Sequence, residues 1–303
     1  MRNYLTELDL SVDETRRVLE LAALLKGERA HGRYRTDLAN RHVALYFEKP
    51  SVRTRVSFSV AVRELGGHVV ELSGSNTKVG KGEDPRDFAR VLGRYVSMLV
   101  ARVFDQATLD DMAKDAGIPV INALSDARHP CQALADMQTI VERFGRIEGL
   151  RLAFVGEGNN VAASTGLLAA QLGMDVVVAS PKGYGLPAEI LSLADGFPGR
   201  LRQVIDVAEA VEDAHVLYTD TWISMGQEAE AAERRAVFGA YRLDQSALRR
   251  AGRDAIVMHC LPAVRDEEIA TELMFGAASA IWDQAENRLH AQKALLLTLL
   301  DYL

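Results

Sequence analysis

The chain has 303 residues, 48% hydrophobic and 25% charged, too apolar for disorder, and its 23 Gly and 8 Pro are too few for a low-complexity or collagen-like chain. The 35 Lys and Arg against 42 Asp and Glu leave a formal net charge of −7, which argues against a nucleic-acid partner but leaves room for a local basic pocket. Two cysteines, Cys131 and Cys260, cannot form a disulfide framework, and no apolar run approaches the ~20 residues of a membrane helix. The first residues show neither a signal-peptide core nor a transit pattern, so the expectation is a cytoplasmic protein with no membrane contact.

At about 150 residues per domain, the length predicts two domains. Ser11 followed by Glu14 is a capping-box pattern that opens a helix expected to end near Gly27. HVALYF from His42 reads as a buried strand, and the stretch after Ser51 as a helix stopped by Gly66 and Gly67. HVVELSG, SMLVARVF and IPVINAL read as further strands, with helices around Phe88–Tyr95 and Leu109–Ala116, and a helix runs from Cys131 to Gly145. The pattern restarts at Arg151 with RLAFVG, a Gly-rich turn and a helix from Val161; MDVVVAS, RLRQVI, HVLYTD and AIVMHC come next as strands. A closing helix is expected over about Gln284 to Tyr302. Repeated β-α alternation predicts two doubly wound, parallel-sheet α/β domains. They are expected to divide near Gly145–Gly149, over 1–147 and 148–284.

In open parallel sheets, ligands bind beyond the carboxyl ends of the strands, so the segment after each strand carries the most information. After HVALYF comes EKPSVRTRVSF, where Ser51, Arg53, Thr54 and Arg55 crowd a helix start. Free N–H groups and the helix dipole favour an anion there, and two arginines at that end suit a phosphate or carboxylate. The plainer alternative is a Ser-capped helix with solvated arginines.

FEKPSVRTRVSF resembles the Ser-x-Arg-Thr-Arg phosphate-binding signature of the aspartate/ornithine transcarbamoylase family, which moves the carbamoyl group of carbamoyl phosphate to an amine. DARHPCQALAD at Asp126–Asp136 is similar to its His-Pro-x-Gln element, and MHCLPA at Met258–Ala263 to its His-Cys-Leu-Pro element. DTWISMGQE at Asp220–Glu228 resembles the Asp-x-x-x-Ser-Met-Gly loop of ornithine-specific members. The resemblance runs the whole length, including ENRLHAQKALL near the end.

The resemblance implies a carbamoyl-phosphate domain, an amino-acid domain with the terminal helix, 285–303, packing back on the first, and transfer to the δ-amino group of L-ornithine, giving citrulline within arginine metabolism, with no metal or cofactor. It places carbamoyl phosphate on Ser51, Val52, Arg53, Thr54, Arg102, His129, Gln132, Cys260, Leu261 and Arg288, the last opening the terminal helix. His129 donates to the carbamoyl oxygen, where negative charge grows as the amine adds, and Gln132 accepts from the carbamoyl NH₂. Ornithine falls to Asn160, Asp220, Ser224 and the Met225 backbone N–H. The δ-ammonium must lose a proton before it attacks, and a Cys260 thiol polarised by Asp220 would relay it; a buried inert cysteine is the alternative. Cys131, in the variable slot of its motif, reads as a packing residue. The family is built of homotrimers or multiples of them with shared sites, and substrates are expected to bind in order with domain closure.

Some positions depart from the pattern. Lys78 stands in KVGKGED where ornithine enzymes usually carry Gln, and is either a phosphate contact across a trimer interface or a solvated lysine. Val52 replaces the commoner Thr at a position used for its backbone. GEGNNVAAS hints at a dinucleotide turn, yet Val161 fills the place of the third glycine, and a tight βα turn explains Gly156 and Gly158. The rivals are a transcarbamoylase for another amine (putrescine or acylated ornithine), a nucleotide-dependent dehydrogenase, and a non-catalytic subunit.

Overall fold

The computed structural model describes residues 2–77, 79, 82–224 and 226–300. They form two compact units, Met1–Gln138 with Asn287–Leu303, and Thr139–Glu286. Both are parallel-sheet α/β structures. Their apolar strands must be covered on both faces, and the intervening helices do this.

In the first unit, β1 (His42–Phe47), β2 (His68–Ser73), β3 (Met98–Arg102) and β4 (Val120–Leu124) lie in the order β2-β1-β3-β4. They are accompanied by α1 (Val12–Ala30), α2 (Val52–Glu64), α3 (Pro85–Leu92), α4 (Gln106–Asp115) and the start of α5 (Pro130–Phe144). Ala44, Tyr46, Leu99, Ala101, Leu109 and Met112 are buried together in its core. Ser11 and Glu14 close the expected capping box on α1. The helix runs past Gly27 to Ala30, because a helical glycine costs only ~0.5–1 kcal/mol and does not by itself end a helix. The edge strand β4 is covered by the N-terminal segment: Tyr4 N donates to Val120 O at 2.9 Å and Asn122 N donates to Tyr4 O at 2.8 Å.

In the second unit, β5 (Arg151–Val155), β6 (Asp175–Ala179), β7 (Arg200–Val204), β8 (Val216–Thr219) and β9 (Ile256–His259) lie in the order β7-β6-β5-β8-β9. The helices are α6 (Asn160–Gln171), α7 (Ala188–Leu193), α8 (Val207–Val211), α9 (Ala231–Phe238), α10 (Gln245–Arg250), α11 (Thr271–Phe275) and the start of α12 (Ile281–Leu300). Val155, Val177, Leu217, Trp222, Phe238 and Val257 share its core.

The division runs through two helices, between Gln138 and Thr139 in α5 and between Glu286 and Asn287 in α12. A helix that is continuous through a boundary leaves no break in its pattern, which is why the sequence reading sets the division near residue 147, where the alternation restarts. The last helix begins at Ile281 rather than Gln284, and Tyr302 lies outside the described residues. Within the first unit its later turns are tied down by Lys293 Nζ, which donates to Glu64 Oε2 at 3.0 Å, and by Asn287 Oδ1, which accepts from Lys26 Nζ at 2.8 Å.

Strand order fixes where a ligand can sit. The direction of winding reverses between β1 and β3 in the first unit and between β5 and β8 in the second, and such reversals open a crevice at the carboxyl ends of the strands. The chain segments that emerge at these ends are Glu48–Ser51 and Arg102–Phe104 in the first unit, and Gly156–Asn159 and Asp220–Ser224 in the second. Among the described residues, no helix is long and apolar enough to cross a membrane.

The turn after β5 needs its second glycine for closeness. A Cβ on Gly158 would stand 2.2 Å from Leu186 N and 2.4 Å from Gly185 C, both backbone atoms that cannot step aside. Gly158→Ala is therefore expected to cost about 3 kcal/mol or more, the upper end of overpacking penalties, in denaturant unfolding. A cost below about 1 kcal/mol would show that the turn is looser than described.

Candidate active site

In the first unit, Ser51 caps α2, its Oγ accepting from Thr54 N at 3.3 Å. The first turn thus presents the open N–H end of a 13-residue helix, with Val52 79% exposed and Arg53 exposed beside it. Arg55 is half-buried, lying over the Phe47 ring at 5.1 Å and 3.8 Å from Glu71. Arg102, the last residue of β3, is buried and stands in register with Phe47 of β1.

Arg288 joins these elements. Its guanidinium is buried; Nη2 donates to Thr54 Oγ1 at 2.8 Å, Nη1 donates to Gln132 Oε1, and Nη1 lies 3.5 Å from His129 Nε2. One cation on α12 therefore gathers the starts of α2 and α5. It stands on the second turn of α12 rather than opening it, because the helix starts earlier than expected. Gln132 is locked as well, since its Nε2 donates to Asp136 Oδ1 at 2.8 Å. Burial holds the His129 pKa well below the usual 6.5, and repulsion from Arg288 and Arg102 adds to the effect. The ring is neutral at pH 7 in a positive field, which is a setting for an anion and for a neutral N–H donor.

Two partners in this unit are invisible in sequence. Lys49, buried before α2, pairs with Asp126 of the DARHPC segment and lies over the Phe104 ring at 4.4 Å. Arg128, next to His129, pairs at 2.9 Å with Glu7, which is fully buried. Cys131 packs under the motif, its thiol donating to Asn122 O at 3.3 Å, and burial pushes its pKa up to about 12, so it stays a thiol. Lys78 lies outside the described residues.

In the second unit, Asp220 comes directly after β8 and is the centre of a separate cluster. Its carboxylate accepts from Cys260 Sγ at 2.9 Å, from Asn159 Nδ2 at 2.8 Å and from Thr221 N at 2.8 Å. Asn159 also caps α6, accepting from Val161 N and Ala162 N at 3.0 Å. Asn160 is the first residue of α6 and half-buried. Ser224 N donates to Gln227 Oε1 at 2.9 Å, shaping the turn beyond it; Met225 lies outside the described residues.

Cys260 and Leu261 come after β9, where Leu261 takes a left-handed φ of 59° that an L-residue holds only when its neighbours enforce it. Leu261 N donates to His259 Nδ1 at 2.9 Å, which leaves the His259 Nε2 hydrogen for Glu268 Oε1 at 3.1 Å. Glu268 Oε1 also accepts from Val264 N at 2.6 Å. Gln284 Oε1 accepts from His259 N at 2.9 Å. Asp220, His259 and Cys260 bring potential ligand atoms within 4.8 Å of one another. Both His259 nitrogens are already committed to protein groups, so His259 holds the loop.

Arg234 of α9 completes this unit's site from behind. It is buried between the Tyr184 and Phe238 rings, donates from Nε to Trp222 O at 2.5 Å, and pairs with Glu157. Burial raises the Glu157 pKa, Arg234 opposes that, and Asp220 adds to it. Asp220 and Ser224 are legible in the sequence, whereas Arg234 is not, because its partners lie 12 and 77 residues away with no periodic signal.

A buried neutral histidine has a signed effect on stability. Unfolding restores His129 to its usual pKa of 6.5, so its contribution is complete above that pH and is lost as pH falls below it. Between pH 6.5 and 5.5 the wild type is expected to lose about 1 kcal/mol more of denaturant stability than His129→Gln; equal losses contradict the burial of a neutral ring.

Residues 2–142 match the family model described as "Aspartate/ornithine carbamoyltransferase, carbamoyl-P binding domain", and residues 148–299 match "Aspartate/ornithine carbamoyltransferase, Asp/Orn binding domain". The curated ornithine carbamoyltransferase of Acidothermus cellulolyticus is 50% identical over 305 residues, and that of Methanoculleus marisnigri 47% over 299; each pairing covers 99% of this chain and 97% of the relative. A solved ornithine carbamoyltransferase from Pyrococcus furiosus aligns with a TM-score of 0.97 at 44% identity, covering 100% of this chain and 98% of that one. Two family models that match residues 2–142 and 148–299, and a relative 50% identical over 99% of the chain, show that the chain belongs to the aspartate/ornithine carbamoyltransferase family.

Proposed function

We propose that the protein transfers the carbamoyl group of carbamoyl phosphate to the δ-amino group of L-ornithine, giving L-citrulline and phosphate. The observation that carries this is the buried Arg288 guanidinium gathering Thr54, His129 and Gln132 at two helix starts. A dianionic acyl phosphate needs that combination of fixed cation, N–H groups and a donor for its carbonyl oxygen.

In this reading the phosphate rests on Ser51, the Val52 backbone, Arg53, Thr54, Arg102 and Arg288. His129 donates to the carbonyl oxygen, where charge grows during addition, and preorganised donors of this kind are worth about 3–4 kcal/mol each. The Gln132 oxygen already accepts from Arg288 and keeps a second lone pair for the carbamoyl NH₂. Ornithine's α-ammonium is assigned to Asp220 and Ser224, and its α-carboxylate to Asn160 and the Met225 N–H. The Cys260–Asp220 pair is the acceptor for the proton that the δ-ammonium gives up. The neutral amine then attacks the carbonyl carbon, phosphate leaves with the C–O bond electrons, and the new amide nitrogen releases its extra proton to the departing phosphate. Leu261 is assigned to carbamoyl phosphate.

The domains are assigned accordingly, carbamoyl phosphate to residues 1–147 with the last helix and ornithine to 148–284. Val52 and Val56 leave apolar surface on α2, which suits a homotrimer, and Lys78 is assigned to carbamoyl phosphate. Two cysteines that form no disulfide suit the cytoplasm, and the product suits arginine metabolism.

Purified protein offered carbamoyl phosphate is expected to form citrulline from ornithine and no ureido product from putrescine, because only ornithine supplies groups for Asp220 and Ser224. Asp220→Asn is expected to lower kcat/KM for ornithine about 10²- to 10³-fold, the cost of removing one partner from a buried charged contact. Its KM for carbamoyl phosphate should stay within about twofold, since Asp220 belongs to the other substrate's cluster; equal rates with putrescine overturn the ornithine assignment.

A further inference from the structure

The N-terminal segment does more than cover an edge strand. Glu7 is a carboxylate with no solvent exposure, and Arg128 Nη1 donates to its Oε1 at 2.9 Å. A buried carboxylate costs several kcal/mol in lost hydration unless a cation meets it, so each of these groups has a strong reason to find the other. Arg128 is the residue immediately before His129.

The backbone around that arginine is fixed from several sides. Ser125 N donates to Arg128 O at 2.9 Å and Arg128 N donates to Ser125 Oγ at 3.0 Å, closing a small turn directly ahead of His129. Ser125 Oγ donates in turn to Gln106 Oε1 at 2.6 Å. The same N-terminal segment reaches the base of this turn, since Asn122 Nδ2 donates to Leu5 O at 2.9 Å and Val120 N donates to Asn3 Oδ1 at 2.9 Å. Turn, strand end and helix start are thus held against one short segment, and an ionic tie joins that segment to the neighbour of His129.

We propose that Glu7 is a positioning residue for carbamoyl transfer: through its ion pair with Arg128 it sets the place of His129 over the carbamoyl oxygen. This rests on the reading that the protein is a carbamoyltransferase with His129 as the oxygen's donor. Arg128 points its side chain away to Glu7 while its backbone shapes the turn, so a displaced guanidinium is transmitted to His129 without either Glu7 or Arg128 touching substrate. Displacement of about 1 Å at a reacting group is enough for a 10²-fold loss.

The test compares wild type, Glu7→Gln, Arg128→Met and the double variant, with kcat expressed per active site titrated by a bisubstrate phosphonate analogue. Both single variants are expected to lose about 10- to 100-fold in kcat per site, with KM for ornithine within about twofold. The double variant should lose no more than the worse single one, as two halves of one interaction do. Arg128→Lys, which keeps the charge and loses the planar fork, is expected to fold and to keep more of the rate than Arg128→Met, so the proposal stays testable if a variant is insoluble. A role confined to fold stability would lower the unfolding temperature and leave kcat per titrated site unchanged; that result, or additive losses in the double variant, overturns the proposal. A wild type that makes no citrulline overturns the carbamoyltransferase reading instead, and the two failures are told apart by that control.

Discussion

A guanidinium out of water is costly, and Arg288 is held in that position by neutral oxygens of Thr54 and Gln132 and by the proximity of the His129 ring. The arrangement fixes the guanidinium in place before any substrate arrives. It explains why His129 stays neutral, why two helix starts are turned toward one point, and why the final turns of the chain belong with residues from its first half. For the phosphate proposed to bind there, such a cluster is a preorganised receptor that needs little rearrangement.

The second unit solves a different problem with different means. Asp220 is satisfied by a thiol, an amide and a backbone N–H, so neutral donors keep this carboxylate buried at a strand end. Positive charge is supplied one layer back, where Arg234 ties the Glu157 turn to the Trp222 carbonyl and so fixes both segments that flank the reversal of winding. His259 is committed to the loop that carries Cys260 and Leu261.

The strands and their order of appearance are legible in the sequence because alternating β-branched runs and helix-period stretches obey local rules, as do the Ser11 capping box and the motif starts at Ser51, His129 and Asp220. Gly27 is a misleading stop, since nothing in a single glycine tells a tolerated helical position from a terminal one. The supporting partners, Glu7 with Arg128, Lys49 with Asp126, Glu157 with Arg234 and His259 with Glu268, leave little trace. Each is a polar pair set by tertiary proximity, and neither partner's type nor spacing announces the other. The likeness to a family supplies roles for individual residues that periodicity alone leaves open.

Everything proposed for the first unit requires the Arg288 cluster to be the phosphate receptor, and a crystal structure with an unreactive phosphonate analogue of carbamoyl phosphate decides this. The phosphonate is expected on the first-turn N–H groups of α2, within hydrogen-bond distance of Arg288, with the carbonyl oxygen on His129. Phosphonate bound elsewhere, with Arg288 making no contact to it, would show that the cluster has another purpose.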